Sequence, residues 1–161
     1  MNRPALTPPS SSDADFDRLL RLIVASHLRV VGRPLLSGVG AQDARLGDAL
    51  WNAPQAVVAH GTQADPVFFY GNRMALELFE MDFSAFTTLP SRYSAELLDR
   101  EERAALLERV ARDGYIDDYA GIRISGSGRR FRIENATVWN LIDANGAYRG
   151  QAATFSDWRP A

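Results

Sequence analysis

Neither cysteine nor lysine occurs in this chain of 161 residues. The missing thiols exclude disulfides, thiolate zinc and iron–sulfur sites, thioether attachment and every cysteine nucleophile. The missing amines exclude a Schiff base to pyridoxal phosphate or retinal, and a phosphate-loop lysine. No covalent cofactor is therefore expected. All eighteen basic residues are arginine. Histidine is scarce too: only His27 and His60 are present, and no carboxylates stand near them at metal-ligand spacing. No apolar run reaches the roughly 18 residues that span a bilayer. The opening "MNRPALTPPSSSDAD" lacks the apolar centre of a secretory signal, so a cytoplasmic protein is expected. A net charge of −2 provides neither the basic footprint of a nucleic-acid binder nor a polybasic membrane patch.

What is present suits one domain with its own core. Residues 1–14 are rich in Pro and Ser, bury little, and read as a disordered tail. Residues 15–50 read as a helical extension. Phe16, Leu19, Leu20, Ile23, Val24, His27, Leu28 and Val31 recur at helical spacing, and Gly32 and Pro34 stop the helix. A weaker helical stretch runs over 41–50. Residues 51–161 form the remaining unit. In it "PQAVVAHG" and "PVFFYGN" read as an antiparallel strand pair, and Asn72 as the N-cap of a short helix. Asp99 and Glu102 form a capping box at the start of a longer helix that Gly114 ends. "YIDDYAGIRIS", "RRFRIENATVWNLID" and "YRGQAATFSDW" follow as strands joined by "GSG" and "ANG", a three-stranded meander.

Strand, strand, short helices, a longer helix and three antiparallel strands is the element order of a PAS-like domain. The linked motifs "FFYGNRMALELFE", "LPSRYSAE", "REER", "GYIDDYAGIRIS", "GRRFRIENATVWNLID" and "GQAATFSDW" closely resemble the MEKHLA domain family, bacterial stand-alone type. The resemblance implies an α+β fold: a five-stranded antiparallel sheet with helices over one face, plus the N-terminal amphipathic helix. It also implies a sensory or regulatory role. Plant members of the family close class III homeodomain leucine-zipper transcription factors and influence dimerisation. No basic region or zipper accompanies the domain here, so DNA binding is not carried over.

The segment 128–143 poses the sharpest question. Strict alternation puts Phe131, Ile133, Asn135, Thr137, Trp139 and Leu141 on one face, expected to be the inner one. A buried amide and hydroxyl left unpaired cost about 1–3 kcal/mol each, so they must bond backbone, water or a ligand. A bulge would reverse part of the alternation. Under strict alternation Ala136 and Val138 form an outer apolar patch, with the helix Phe16 to Val31 as its cover, either in the same subunit or across a dimer.

Ser91, Arg92 and Ser94 are candidates for a pocket rim, where Arg92 would take a carboxylate bidentately, or else for local turn caps. His60 is either a titratable group, open to haem, or a loop hydrogen-bonder. Gln151 resembles the glutamine that flavin-binding PAS relatives carry on their last strand. Without a cysteine only noncovalent flavin is open, and its support, like that of haem, is weak. The candidate ligand-facing set is Phe69, Met74, Phe79, Arg92, Tyr93, Ile122, Asn135, Thr137, Trp139 and Gln151. "DREER" and "IDDY" read as solvated charge, no serine stands in a nucleophile elbow, and no catalytic residue is assigned. The expectation is a sensory module that binds a small molecule noncovalently and acts by homodimerisation or on a protein partner. The alternatives are a ligand-free dimerisation or interaction domain and, ranked below it, an enzyme using the same pocket.

Overall fold

The computed structural model describes residues 6–9, 14–96 and 100–161. Helix α1, Ala14–Val31, forms over the expected apolar stripe and opens on the acidic residues Asp15 and Asp17, which suit the helix dipole. The weak helical stretch is realised as α2, Leu46–Trp51. Strands β1, Ala56–His60, and β2, Phe68–Gly71, pair antiparallel as expected. Asn72 caps α3, Arg73–Phe79, by accepting from the Ala75 N–H. Helix α4, Phe83–Phe86, and a 3₁₀ turn, Ser91–Ser94, lead towards α5, Arg100–Asp113. The capping box at Asp99 lies outside the described residues. Strands β3, Tyr115–Ile124, β4, Arg130–Ile142, and β5, Tyr148–Phe155, form the meander.

All pairings are antiparallel, in the order β2-β1-β5-β4-β3. One strand exceeds the expected five. After Ser156 the chain continues as β6, Asp157–Pro160, and pairs with Phe131 to Glu134 of β4.

Strand β6 prolongs the β5 ladder along β4 in the same register, Thr137 opposing Thr154 and Glu134 opposing Asp157. A reversal of faces arises on the β3 side. Tyr119 opposes Ala136 and Gly121 opposes Ile133, so β4 carries one residue more than β3 across the same interval. That interval contains Asn135 in the left-handed region at φ 54°. A residue inserted this way bends the strand and flips the alternation. Phe131, Ile133 and Ala136 consequently pack with Phe79 and Phe86, while Trp139 and Leu141 pack on the opposite face with Leu20, Ile23 and Val24 of α1. The single inner face expected for Phe131 through Leu141 is thus split at Asn135. The helix covers Trp139 and Leu141, and not the Ala136–Val138 side.

Helices accordingly lie on both faces of the sheet, and α1 packs within its own subunit. It is also bonded there. The buried Ser26 hydroxyl accepts from the Ile142 N–H at 3.0 Å and donates to the Ile142 carbonyl at 3.0 Å, past the end of the β3 pairing. Of the tail expected over 1–14, residues 6–9 and Ala14 are described: Leu6 packs against the core beside α3, and Pro8 and Pro9 line a recess with Phe16, Trp51 and Tyr70. Among the described residues no helix is long and apolar enough to cross a membrane.

Candidate functional site

Between the sheet and α3 and α5 lie two adjoining compartments. The inner one is about 150 Å³. Its sheet wall is built from Val58 and His60 of β1, Ile133 and Val138 of β4, and Gln151, Ala153 and Phe155 of β5. Phe68 of β2 extends that wall, and Phe79 of α3 and Leu106 of α5 close the chamber from the other side. The outer compartment, about 370 Å³, shares His60, Ser91, Leu106, Tyr119, Arg123 and Gln151 with the inner one and adds Asp65, Arg92, Glu96, Leu107 and Tyr148. An apolar interior thus opens through a polar neck into a charged mouth, the usual constitution of a small-molecule pocket.

The neck is a connected polar set. His60 hydrogen-bonds the Gly61 carbonyl through Nδ1 at 2.9 Å and also meets the Gln151 side chain. Gln151 donates to Asn140 Oδ1 at 3.1 Å. Burial lowers the His60 pKa from its ordinary value; the Gly61 and Gln151 bonds partly oppose this, and the Arg123 charge adds to it. His60 is therefore an uncharged imidazole at neutral pH. Gly150 makes this approach possible: at φ 130°, a Cβ there would run into the His60 carbonyl oxygen. At the mouth, the Arg92 Nε–H is shared between both Asp65 carboxylate oxygens at 3.0 Å, and the guanidinium lies 4.1 Å from the Tyr93 ring centre.

The structure brings together only part of the expected set. Phe79 and Gln151 line the inner compartment, and Arg92 lines the outer one. Phe69 packs towards the α1 side, because the β1–β2 register shifts between Ala59 and His60; Phe68 takes the pocket position instead. Ile122 pairs opposite Arg132, out of phase with Gly121 and Arg123, and lines neither compartment. Met74 packs in the α3 core, and Tyr93 is half exposed beneath Arg92. Trp139 is fully buried on the other face, edge-to-face with His27 at 4.8 Å. Asn135 and Thr137 are away from the pocket as well, in a separate groove of about 320 Å³ with His27, Arg33 and Thr154. The bulge moves all three.

Sequence reasoning missed Val58, Phe68, Leu106 and Phe155 of the apolar wall, and Tyr119, Arg123 and Val138 of β3 and β4. Tyr119 and Arg123 belong to the β3 alternation once Gly121 is placed opposite Ile133, a register fixed only by the bulge. Among the described residues no three His, Asp or Glu side chains gather to hold a metal ion. A cavity of about 150 Å³ takes one benzene-sized ring, so the three fused rings of a flavin do not fit within the inner compartment.

A twisted antiparallel sheet in 2-1-5-4-3 order, with a pocket between its concave side and short connecting helices, defines the PAS-like class. Solved structures agree on the fold. The PAS domain of a protein from Colwellia psychrerythraea superposes with a TM-score of 0.58 at 15% identity, covering 71% of this chain and 92% of that one. An RNA-binding light-oxygen-voltage receptor gives 0.60 at 17% identity, covering 80% and 36%. The light-state dimer of the fungal photoreceptor Vivid gives 0.54 at 12%, covering 91% and 95%. Within that class the chain belongs to the MEKHLA domain family, whose sequence model matches residues 17–160 and so includes nearly all of α1. Homeobox-leucine zipper protein ATHB-14 of Arabidopsis thaliana is 26% identical over 163 residues, 98% of this chain and 18% of that protein. ATHB-9 of the same plant is 28% identical over 111 residues, 68% of this chain and 13% of that protein. The chain therefore spans less than a fifth of these relatives.

Proposed function

We propose that the chain is a sensory module that holds a small molecule noncovalently in the two-compartment pocket and passes its occupancy to a second copy or a protein partner. One observation carries the reading: an apolar chamber opens past a polar neck of uncharged His60, Gln151 and Arg123. A domain that served only as packing surface gains nothing from polar groups converging on an apolar void. Leu107 and Tyr148 stand about half exposed beside the mouth, where a bound molecule would alter the surface offered to a partner. A chain without Cys or Lys has no thiol or lysine amine through which to attach the molecule covalently.

Native mass spectrometry of freshly purified protein tests this, paired with melting before and after ligand removal. The expected result is an added mass lost on denaturation and a higher melting temperature for the loaded form. Gln151→Leu should reduce that ligand-dependent shift, because a polar atom of the ligand loses its partner. A Gln151→Leu protein that melts lower yet keeps the whole shift would make the neck a structural network only.

A further inference from the structure

We propose that the molecule taken by this pocket is a monocarboxylic acid bearing one aromatic ring or a short alkyl chain, with its carboxylate on Arg123. The inference rests on the pocket being a ligand site and adds the chemistry of the ligand.

The charges around the pocket leave one position open. Asp65, Arg92, Glu96 and Arg123 line its two compartments. Asp65 is taken by Arg92, and Glu96 is taken by Arg130, which lines neither compartment. Arg123 is different. Its described bonds go to two neutral hydroxyls, Ser94 Oγ at 3.4 Å and Tyr119 Oη at 3.3 Å, both near the outer limit for a hydrogen bond. Among the described residues no carboxylate balances it. A half-buried guanidinium offers a planar fork of donors that matches a carboxylate bidentately, and such charge-assisted bonds are about twice as strong as neutral ones. His60 alongside is uncharged and does not substitute for the anion.

Position fixes the rest of the ligand. Arg123 touches both compartments, so its charge lies where the inner chamber opens into the mouth. An acid anchored there would place its apolar part among Val58, Phe68, Ile133 and Phe155, in space for one ring. One uncompensated cation calls for one negative charge. A cationic ligand would be repelled, and a neutral one would leave the guanidinium unbalanced.

Titration calorimetry on the full chain, with phenylacetate, its neutral amide phenylacetamide and toluene as probes, tests the inference. The acid is expected to bind at least about tenfold more tightly than the amide, since a charge-assisted pair replaces a neutral contact. Arg123→Gln should abolish that preference, and Arg123→Lys should retain part of it. Equal affinities for acid and amide on the unaltered protein would overturn the inference without reference to any variant, as would a preference that survives in folded Arg123→Gln protein. If amide and toluene bind but the acid gains nothing, the pocket remains a ligand site and the carboxylate assignment falls. If none of the three binds at millimolar concentration, the assignment of a one-ring acid falls, and the native mass spectrum alone decides whether the pocket is a ligand site.

Discussion

Asn135 is the residue on which the molecule turns. Its φ of 54° lies in the left-handed region, where Asn is tolerated, Gly is free of strain and a β-branched residue is an outlier. Its amide contributes little: it is exposed and donates to Asp157 at 3.3 Å. The backbone is therefore the reason for its identity. Asn135→Gly should leave stability nearly unchanged, and Asn135→Val should cost about 1–3 kcal/mol. Chemical denaturation of both variants checks this, and a Val variant as stable as the Gly variant would show that the bulge does not depend on this position. Asn72 is the contrasting case, since its side chain is the reason. Fully buried, it accepts from the Val57 and Ala75 N–H groups and donates to the Leu50 and Gln55 carbonyls, joining α2, β1 and α3 through one amide.

At the scale of elements, α1 and β4 share a titratable contact. His27 is buried against Trp139 and bonds the Arg33 carbonyl through Nδ1 at 2.8 Å. Burial lowers its pKa below the ordinary 6.5; the Arg33 carbonyl partly opposes this, and the Arg33 charge adds to it. His60 is lowered for the same first reason. A depressed imidazole means that the unfolded chain binds more protons than the folded one as pH falls below about 6.5. Stability should thus be level from pH 8 to about 7 and fall through the sixes, where every tenfold loss of proton affinity on folding is worth about 1.4 kcal/mol. His27→Asn, which retains a donor for the Arg33 carbonyl, should lower stability at neutral pH and flatten the acid slope. Melting curves across that range decide it: a slope unaltered in His27→Asn would assign the acid sensitivity elsewhere.

For the whole molecule, α1 is an integral part of the core rather than an appendage. Leu20, Ile23 and Val24 are almost fully buried against the sheet. Burying each such side chain is worth roughly 1.5–3 kcal/mol. Together the three match the net stability of an ordinary domain, about 5–15 kcal/mol. Removing residues 1–34 should therefore unfold the chain or drive it to aggregate, with loss of the near-ultraviolet signal of Trp139. A truncated protein that melts cooperatively would refute this. Most of the apolar stripe of α1 is occupied within the subunit, and Leu28 is the large apolar residue of it that stays exposed. Light scattering of the intact chain, with and without a bound molecule, measures whether occupancy and association are linked.

The amino-acid sequence by itself determined the order and type of the elements, since helical and alternating periods, the Asn72 cap and the Gly turns are local signals read within a few residues. It also determined the absence of covalent cofactor chemistry through thiol or amine. Its motifs sufficed for the family. What only the tertiary structure decided is which side of each strand faces the pocket. A strand repeats every two residues, so one extra residue at Asn135 reverses every assignment after it, and nothing in "IENATVW" marks which residue is the extra one. Thr137 and Trp139 leave the expected face for that reason, and Tyr119 and Arg123 are invisible in the sequence for it. Gln151 and Phe79 are legible without the fold, whereas the unpaired charge of Arg123 is a property of which partners its neighbours take, and that exists only when the chain is folded.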